Sequence, residues 1–476
     1  MLQTISMFLP ELILAFFASE LLLFGAISKK DRKEGIRLTA IAVFLVYAVV
    51  GLWMGNSGVA FNGALIVDDF AHYAKFFLGV AAAAALIFSK PYLNSEKLDQ
   101  YEFTVLMMYA VLGMSIMVSA NNLLAVYIGI EMQSLALYVL AAWNRDSLRA
   151  SEAGLKYFVL GALSSGLLLY GISMVYGFTG SLSFERIAEV AGDGASPGLI
   201  AGMVFMLCGL GFKISAAPFH MWTPDVYEGS PTPVTGFFAG APKFAAMLLI
   251  TRIVMGPFGE ITDQWQQVII VFAVLSMFVG AIGALAQTNI KRLMAYSSIA
   301  NMGYALVALA AGTQAGVVGV LTFMSIYVVT TIGIFACILQ MRIRNGMVEQ
   351  ISDLAGLSKT NSGLAIVLTI LMFSLAGIPP LLGFFGKLFA FWPAMEAGLT
   401  WLVVLALLAS VVGAFYYIRI IKIMWGDAPV NDFVEAPASL RWMTSFVALM
   451  ILPLMILPFT AMPARDLIAQ AAASLF

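Results

Sequence analysis

The chain has 476 residues, 61% of them hydrophobic and only 11% charged, with a mean hydropathy of +0.95. A soluble domain carries about 25% charged residues, so most of this chain resides in lipid, and its net charge of −1 argues against a nucleic-acid partner. Two cysteines and two histidines are too few for an iron–sulfur cluster, which takes about four cysteine ligands, and they argue against an intrinsic haem or metal centre.

No GxGxxG or GxxxxGK[ST] motif occurs, so nucleotide binding has no support. Met1 to Ile27 reads as a full-length span rather than a cleaved signal peptide. A span takes about 20 apolar residues. Fourteen windows qualify: 5–27, 36–55, 70–88, 102–120, 122–142, 152–177, 199–222, 231–254, 265–287, 292–312, 314–341, 362–392, 400–425 and 440–462. The predicted fold is an all-α polytopic membrane protein with no separate soluble domain. Residues 179–198 are expected to hold a short surface helix.

Fourteen spans put both termini on one side. Loops after odd-numbered spans carry 17 of the 25 Lys and Arg residues, beginning with Lys29, Lys30, Arg32, Lys33 and Arg37. The opposite loops carry only Arg186, Arg252 and Arg465. Basic loops stay in the cytoplasm, so both termini are predicted on the outer side of a bacterial cytoplasmic membrane.

Span seven is interrupted at Pro218, because proline removes a helical hydrogen bond and clashes with the preceding turn. Span twelve would be about 46 Å long as one helix, against a core of about 30 Å, and it contains Gly377-Ile378-Pro379-Pro380. Grouping spans four to eight (102–254) and nine to thirteen (265–425) makes the broken helix fourth in each group. Five helices is an odd number, so the two groups are predicted to be inverted repeats. They are flanked by an N-terminal three-span segment (1–101) and a C-terminal one (426–476). Inverted repeats with broken helices at midplane are a transporter arrangement.

Ionisable residues fall inside these spans: Glu131, Lys156, Lys213, Lys243 and Lys387. A charge at the bilayer centre costs about 3 kcal/mol on insertion scales. A carboxylate that pairs with lysines and releases them is the chemistry of a proton relay, with Glu131 as the acid. Lys156 and Lys387 could instead snorkel, and His220 beside Pro218 is either a satisfied core histidine or part of a polar path. Lys75, near an outer span end, is expected to snorkel. Glu11 and Glu20 are read as packing-face or partner contacts, or as transport groups. Two histidines support no Ser-His-Asp or Cys-His catalytic constellation.

The run KISAAPFHMWTPDVYEGSPTPVTGFFAGAPKFA (213–245) and QTNIKRLMAYSSIANMGYAL (287–306) resemble the antiporter-like membrane subunits of respiratory complex I and of Mrp-type Na⁺/H⁺ antiporters. The resemblance covers nearly the whole chain and implies fourteen spans with inverted five-helix repeats. The chain ends after span fourteen, without the lateral helix of the family's largest member, and carries lysine in GFFGKLFAFWPAM where the middle member has glutamate. Metazoan mitochondrial counterparts are three helices shorter. The resemblance implies an axis of Glu131, Lys213, Lys243 and Lys387, with Lys156 alongside Glu131 and His220 in an inner half-channel. Asn301 stands where relatives often carry histidine, so the link between halves would fall to water or Tyr304. The resemblance also implies proton pumping driven by NADH–quinone electron transfer. NADH, FMN, iron–sulfur clusters and quinone would belong to partner subunits, and other antiporter-like subunits and the lipid bilayer would be neighbours. A cation/proton antiporter and a structural scaffold are the competing functions.

Overall fold

The computed structural model describes residues 7–28, 32–53, 57–344, 346–452 and 461–476. Lys29 and Lys30, the outer tips of the first two expected spans, and 453–460 of the fourteenth lie outside the described residues.

From the N-terminus run α1 (Leu9–Ile27), α2 (Lys33–Trp53), α3 (Asp69–Ser95), α4 (Tyr101–Val118), α5 (Leu123–Ala141) and α6 (Leu148–Thr179). The surface helix α7 (Phe184–Gly192) leads into α8 (Pro197–Ile214), α9 (Trp222–Gly229), α10 (Thr232–Ala239) and α11 (Ala241–Met255). Then follow α12 (Thr262–Leu285), α13 (Ile290–Ala310), α14 (Gln314–Ile338), α15 (Ser362–Ala376), α16 (Leu382–Glu396), α17 (Thr400–Gly426), α18 (Ala438–Ile451) and α19 (Ala461–Ala473). Among the described residues, twelve helical spans are long and apolar enough to cross a membrane, with α10 and α11 counted as one; α15 and α18 are apolar but shorter. Two small antiparallel hairpins, Gly58–Ala60 with Leu65–Val67 and Arg342–Ile343 with Gly346–Met347, interrupt the all-α pattern in loops.

Polar residues at the loop–helix junctions start these helices. Asp68, Asn122, Ser147, Ser196 and Thr313 each accept a hydrogen bond from the backbone N–H three residues on. Such caps satisfy donors that lipid cannot. The surface helix α7 is amphipathic, as its place between spans requires, burying Phe184, Ile187 and Ala191.

Both expected breaks occur. Helix α8 ends at Ile214, and Ser215 turns into the left-handed region with φ 62°. Helix α15 ends at Ala376, followed by Gly377 at φ 83°. The peptide bonds at Ala217–Pro218 and Pro379–Pro380 are cis. A third break was not expected. Span eight divides at Gly240 into α10 and α11, and Pro242 opens the second piece. The Gly-Ala-Pro sequence is the signal for it, since proline is at home in the first turn of a helix.

The core sits on α10–α11, buried along its whole length, and on α13, buried along nearly all of it. Two neighbouring pairs approach closely at glycine. A Cβ on Gly113 of α4 would stand 2.5 Å from the Gln133 nitrogen of α5, and one on Gly280 of α12 would stand 2.4 Å from the Ala300 nitrogen of α13.

Candidate proton-relay site

The half-helix α8 delivers Lys213 in its last turn, where the helix macrodipole favours a cation. Lys213 is 6% exposed, and its Nζ donates a 2.7 Å hydrogen bond to Ser134 Oγ on α5. The Tyr138 and Phe212 rings lie 6.0 and 5.7 Å away. One turn before Ser134 on the same helix is Glu131, half-buried, accepting a short hydrogen bond from Ser165 of α6. The acid and the lysine therefore share one stripe of α5 but hold separate hydroxyls.

Lys243 stands in the first turn of α11, a consequence of the Gly240 break. It is 1% exposed and donates to Ser298 Oγ of α13 at 2.5 Å. Tyr327 of α14 donates to the same Ser298 oxygen at 2.8 Å. The Tyr227 ring lies 5.0 Å from the ammonium. Between Lys213 and Lys243 runs an aromatic series: Tyr138 edge-on to Tyr157, Tyr157 stacked on Trp222 at 4.5 Å, and Trp222 against Tyr227. Its two end rings are the ones that face the two lysines. Sequence reasoning missed this series, because aromatic residues in a membrane chain are ordinarily packing or lipid-facing.

Lys387 on α16 is 8% exposed. Its Nζ donates to the Ala376 carbonyl at 3.0 Å and to Ser410 Oγ of α17 at 2.8 Å, with the Tyr304 ring 5.0 Å away. It is turned inward and not outward, which removes the snorkelling reading. Asn301 donates to the Ser297 carbonyl at 2.8 Å, and Ser297 shares a 2.5 Å hydrogen bond with Tyr417. Tyr327, Asn301 and Lys387 line one cavity of about 10 Å³, roughly the size that admits one water.

Lys156 is placed elsewhere. It is 41% exposed and ion-paired at 2.7 Å to both Glu152 and Asp225, so its partners are rim acids, as the snorkelling alternative has it, rather than the Glu131 that the resemblance sets alongside it. Arg292 bridges Asp225 and Glu228, and Arg149 and Lys291 reach Glu349. Burial pushes the Asp225 carboxyl up, but hydrogen bonds from Lys156 and Arg292 outweigh it and hold the group below the ordinary range. A cavity of about 190 Å³ opens among these residues. His220 lies half-buried in the 215–221 linker, its Nδ1 without a hydrogen-bond partner among the described residues.

Three buried ion pairs were not anticipated. Lys75 does not snorkel: it is fully buried and pairs with Glu11 at 2.6 Å. Arg252 pairs with Asp68 through both carboxylate oxygens at 2.7 and 2.8 Å, and Arg37 pairs with Asp99. These partners lie at least 62 residues apart in the sequence, so no local spacing announces them. No group of His, Cys, Asp and Glu that could hold a metal occurs among the described residues.

Residues 120–413 match the family described as NADH:quinone oxidoreductase/Mrp antiporter, TM. NADH-quinone oxidoreductase subunit N of Maricaulis maris is 56% identical over 447 residues, covering 94% of this chain and 93% of the relative. A chain of respiratory complex I from Thermus thermophilus superposes with a TM-score of 0.81 at 33% identity, covering 96% of this chain and 99% of that one. A chain of the Mrp complex from a Dietzia species has the same fold, with a TM-score of 0.87 at 19% identity over 99% and 98% of the two chains.

Proposed function

This chain belongs to the membrane-subunit family shared by NADH:quinone oxidoreductase and Mrp antiporters, on its subunit N branch, and we propose that it carries protons across the membrane as part of a bacterial NADH:quinone oxidoreductase. Electron transfer from NADH to quinone takes place in other subunits, and further antiporter-like subunits are its neighbours in the membrane arm. The relay consists of Glu131, Lys213, Lys243 and Lys387 in that order. His220 lies on the inner approach, Lys156 belongs to the charged rim, and Tyr304 flanks the last lysine.

One contrast carries this reading. Where the bundle buries a guanidinium, it supplies a carboxylate: Arg37 has Asp99 and Arg252 has Asp68. Lys213, Lys243 and Lys387 are equally buried, yet each is held by a serine hydroxyl, and no ion pair to them occurs among the described residues. A buried charge without a counter-charge is costly. A lysine can escape that cost by releasing its proton, whereas an arginine cannot. Hydroxyls both donate and accept, so they tolerate the ammonium and the amine alike.

In the proposed cycle, charge movement elsewhere in the complex shifts Glu131 toward or away from Lys213 across Ser134, changing the hold of Lys213 on its proton. The proton passes to Lys243 and then, through Ser298, Tyr327 and the small cavity beside Asn301, to Lys387. It leaves on the outer side. The proposed topology is fourteen spans with α15–α16 as the twelfth and α18 within the last, and both termini outside. The inverted repeats 102–254 and 265–425 are supported by a broken helix in the fourth position of each and by a close glycine contact between the first two helices of each.

The test is Lys213→Ala in inverted membrane vesicles, following NADH-driven proton uptake and quinone reduction together. Both should fall while the complex remains assembled. Wild-type rates of both would remove the relay.

A further inference from the structure

The relay leaves a second buried group of ionisable residues unused, in the first three spans. Glu11 of α1 and Lys75 of α3 form an ion pair at 2.6 Å, with Lys75 fully buried and Glu11 nearly so. Ser115 of α4 donates to Glu11 at 2.8 Å, and Tyr47 of α2 donates to Ser115 at 2.8 Å. The Phe8 ring closes the site 5.8 Å from the ammonium. One turn before Lys75 on α3 is His72. It is 7% exposed, and neither ring nitrogen has a hydrogen-bond partner among the described residues. One turn earlier again is Asp68, the helix cap, clamped by Arg252.

Asp68, His72 and Lys75 are spaced i, i+4, i+7. That spacing places them on one stripe of a helix, with Lys75 about 10 Å deeper than Asp68 along the axis. The stripe begins at the face that bears the 58–67 hairpin, the outer face in the proposed orientation. The charged groups around His72 are Asp68 and Asp69 at the start of its own helix, Lys75 below it and Glu11 across from it. The aromatic contact of Phe77 with Phe244 lies between α3 and the helix that carries Lys243. The same face of α3 meets α14 through a Tyr73–Ser325 hydrogen bond of 2.5 Å.

We propose that Glu11, His72 and Lys75 form a second proton-binding site, separate from the axis, that exchanges one proton with the outer aqueous phase. A purely structural pair accounts for less of the geometry. Arginine holds the buried pairs Arg37–Asp99 and Arg252–Asp68, and Arg252 occupies both carboxylate oxygens of Asp68. Here a lysine sits on one Glu11 oxygen at 2.6 Å and leaves the other without a hydrogen-bond partner among the described residues. Nor does a structural pair require an imidazole whose two nitrogens have no partner among the described residues, since burying unmatched polar atoms destabilises a fold. An imidazole is suited to transfer, because a proton arriving on one nitrogen can leave from the other. The proton enters on His72 and ends on a Glu11 carboxylate oxygen. His72 returns to neutral, Lys75 keeps its charge, and the site gains one positive charge.

The experiment is infrared difference spectroscopy on the intact membrane assembly in liposomes, with electron transfer idle. The outer pH is stepped while the inner pH is held, then the reverse. The step on the outer side should produce carboxyl and imidazole bands; Glu11→Gln should lose one carboxyl equivalent, and His72→Asn one imidazole equivalent. His72→Asn breaks no ion pair and no described hydrogen bond, so it carries the test if Glu11→Gln fails to assemble. Bands unchanged in His72→Asn, or a wild-type response to the inner step alone, overturn the proposal. No turnover is read, so this outcome is independent of the relay.

Discussion

Lys387 Nζ donates a 3.0 Å hydrogen bond to the carbonyl of Ala376, the last residue of the half-helix before the second break. That contact resolves an asymmetry in the sequence, where Lys213 precedes its proline and Lys387 follows its own. Lys213 belongs to the last turn of α8. Lys387 belongs to the next helix but reaches back to the last turn of α15. In both halves an ammonium therefore sits at the C-terminal end of a broken helix, where the exposed carbonyls and the dipole favour it.

Gly377→Ala tests this arrangement without touching the lysine. Gly377 has φ 83°, and a Cβ there would lie 3.0 Å from Lys387 Cδ and 3.1 Å from Nζ. An L-residue in that conformation costs about 1–2 kcal/mol, and the methyl displaces the lysine from Ala376. NADH-driven proton uptake should drop severalfold with the complex still assembled. Wild-type uptake would show that the capping contact is dispensable.

The hydroxyl link between halves makes a sharper prediction. Tyr327→Phe keeps the ring but removes the O–H that donates to Ser298, beside the oxygen that receives Lys243. Losing one hydrogen bond to a charged network costs about 1.5–3 kcal/mol, equivalent to roughly a 10- to 100-fold slowing. Proton uptake and quinone reduction should slow together. Uptake slowed by less than twofold would mean that protons bypass Ser298 and Tyr327.

These contacts also mark how far the sequence could be read. Most of the apolar spans, two of the three breaks and the inward burial of Lys213, Lys243 and Lys387 were legible, because lysine and proline in an apolar run stand out against their local cost. The break at Gly240 was weaker, since Gly-Ala-Pro leaves the apolar run uninterrupted. Lys75 was misread for the opposite reason. Its position near a span end fits snorkelling, and only the fold brings Glu11 to it from 64 residues away. Asp68 and Arg252 are 184 residues apart. The resemblance set Lys156 alongside Glu131 and its place near a span end allowed snorkelling; Asp225, on a short helix after the break, holds it at 2.7 Å. Ion pairing is decided by tertiary proximity, which no periodicity encodes.

The rim cluster should loosen in acid. Burial pushes the Glu349 carboxyl up, but the charge and hydrogen bond of Lys291, aided by Arg149 and Asn289, overcome it and hold the group below its ordinary value. A carboxyl lowered on folding gives stability that is complete above its unfolded value of about 4.3 and is lost as pH falls through the folded value. Asp225, also lowered, acts in the same direction. Hydrogen exchange in residues 222–229 and 346–352 should accelerate as pH is lowered from about 5 to about 3, after correction for intrinsic rates. In Glu349→Gln the acceleration should be smaller. Equal acceleration in the two proteins would assign the effect to other groups.

Arg252 and Asp68 join the last turn of α11 to the cap of α3, and so tie the first three spans to the helix that carries Lys243. Arg252→Ala strands a buried carboxylate, a loss of about 3–5 kcal/mol. Asp68→Asn keeps a side-chain oxygen to cap Ala71 but removes the negative charge and one of the two oxygens that accept from Arg252. The double variant Asp68→Asn/Arg252→Ala removes both charges, and its cost should fall well below the sum of the singles, because residues in contact are not additive. Thermal unfolding of the purified assembly, read by loss of this chain from the complex, measures all three. Additive losses would mean that the pair contributes no coupling and that the N-terminal spans are held by apolar packing. A double variant more stable than either single identifies the ion pair as the clasp between the two parts.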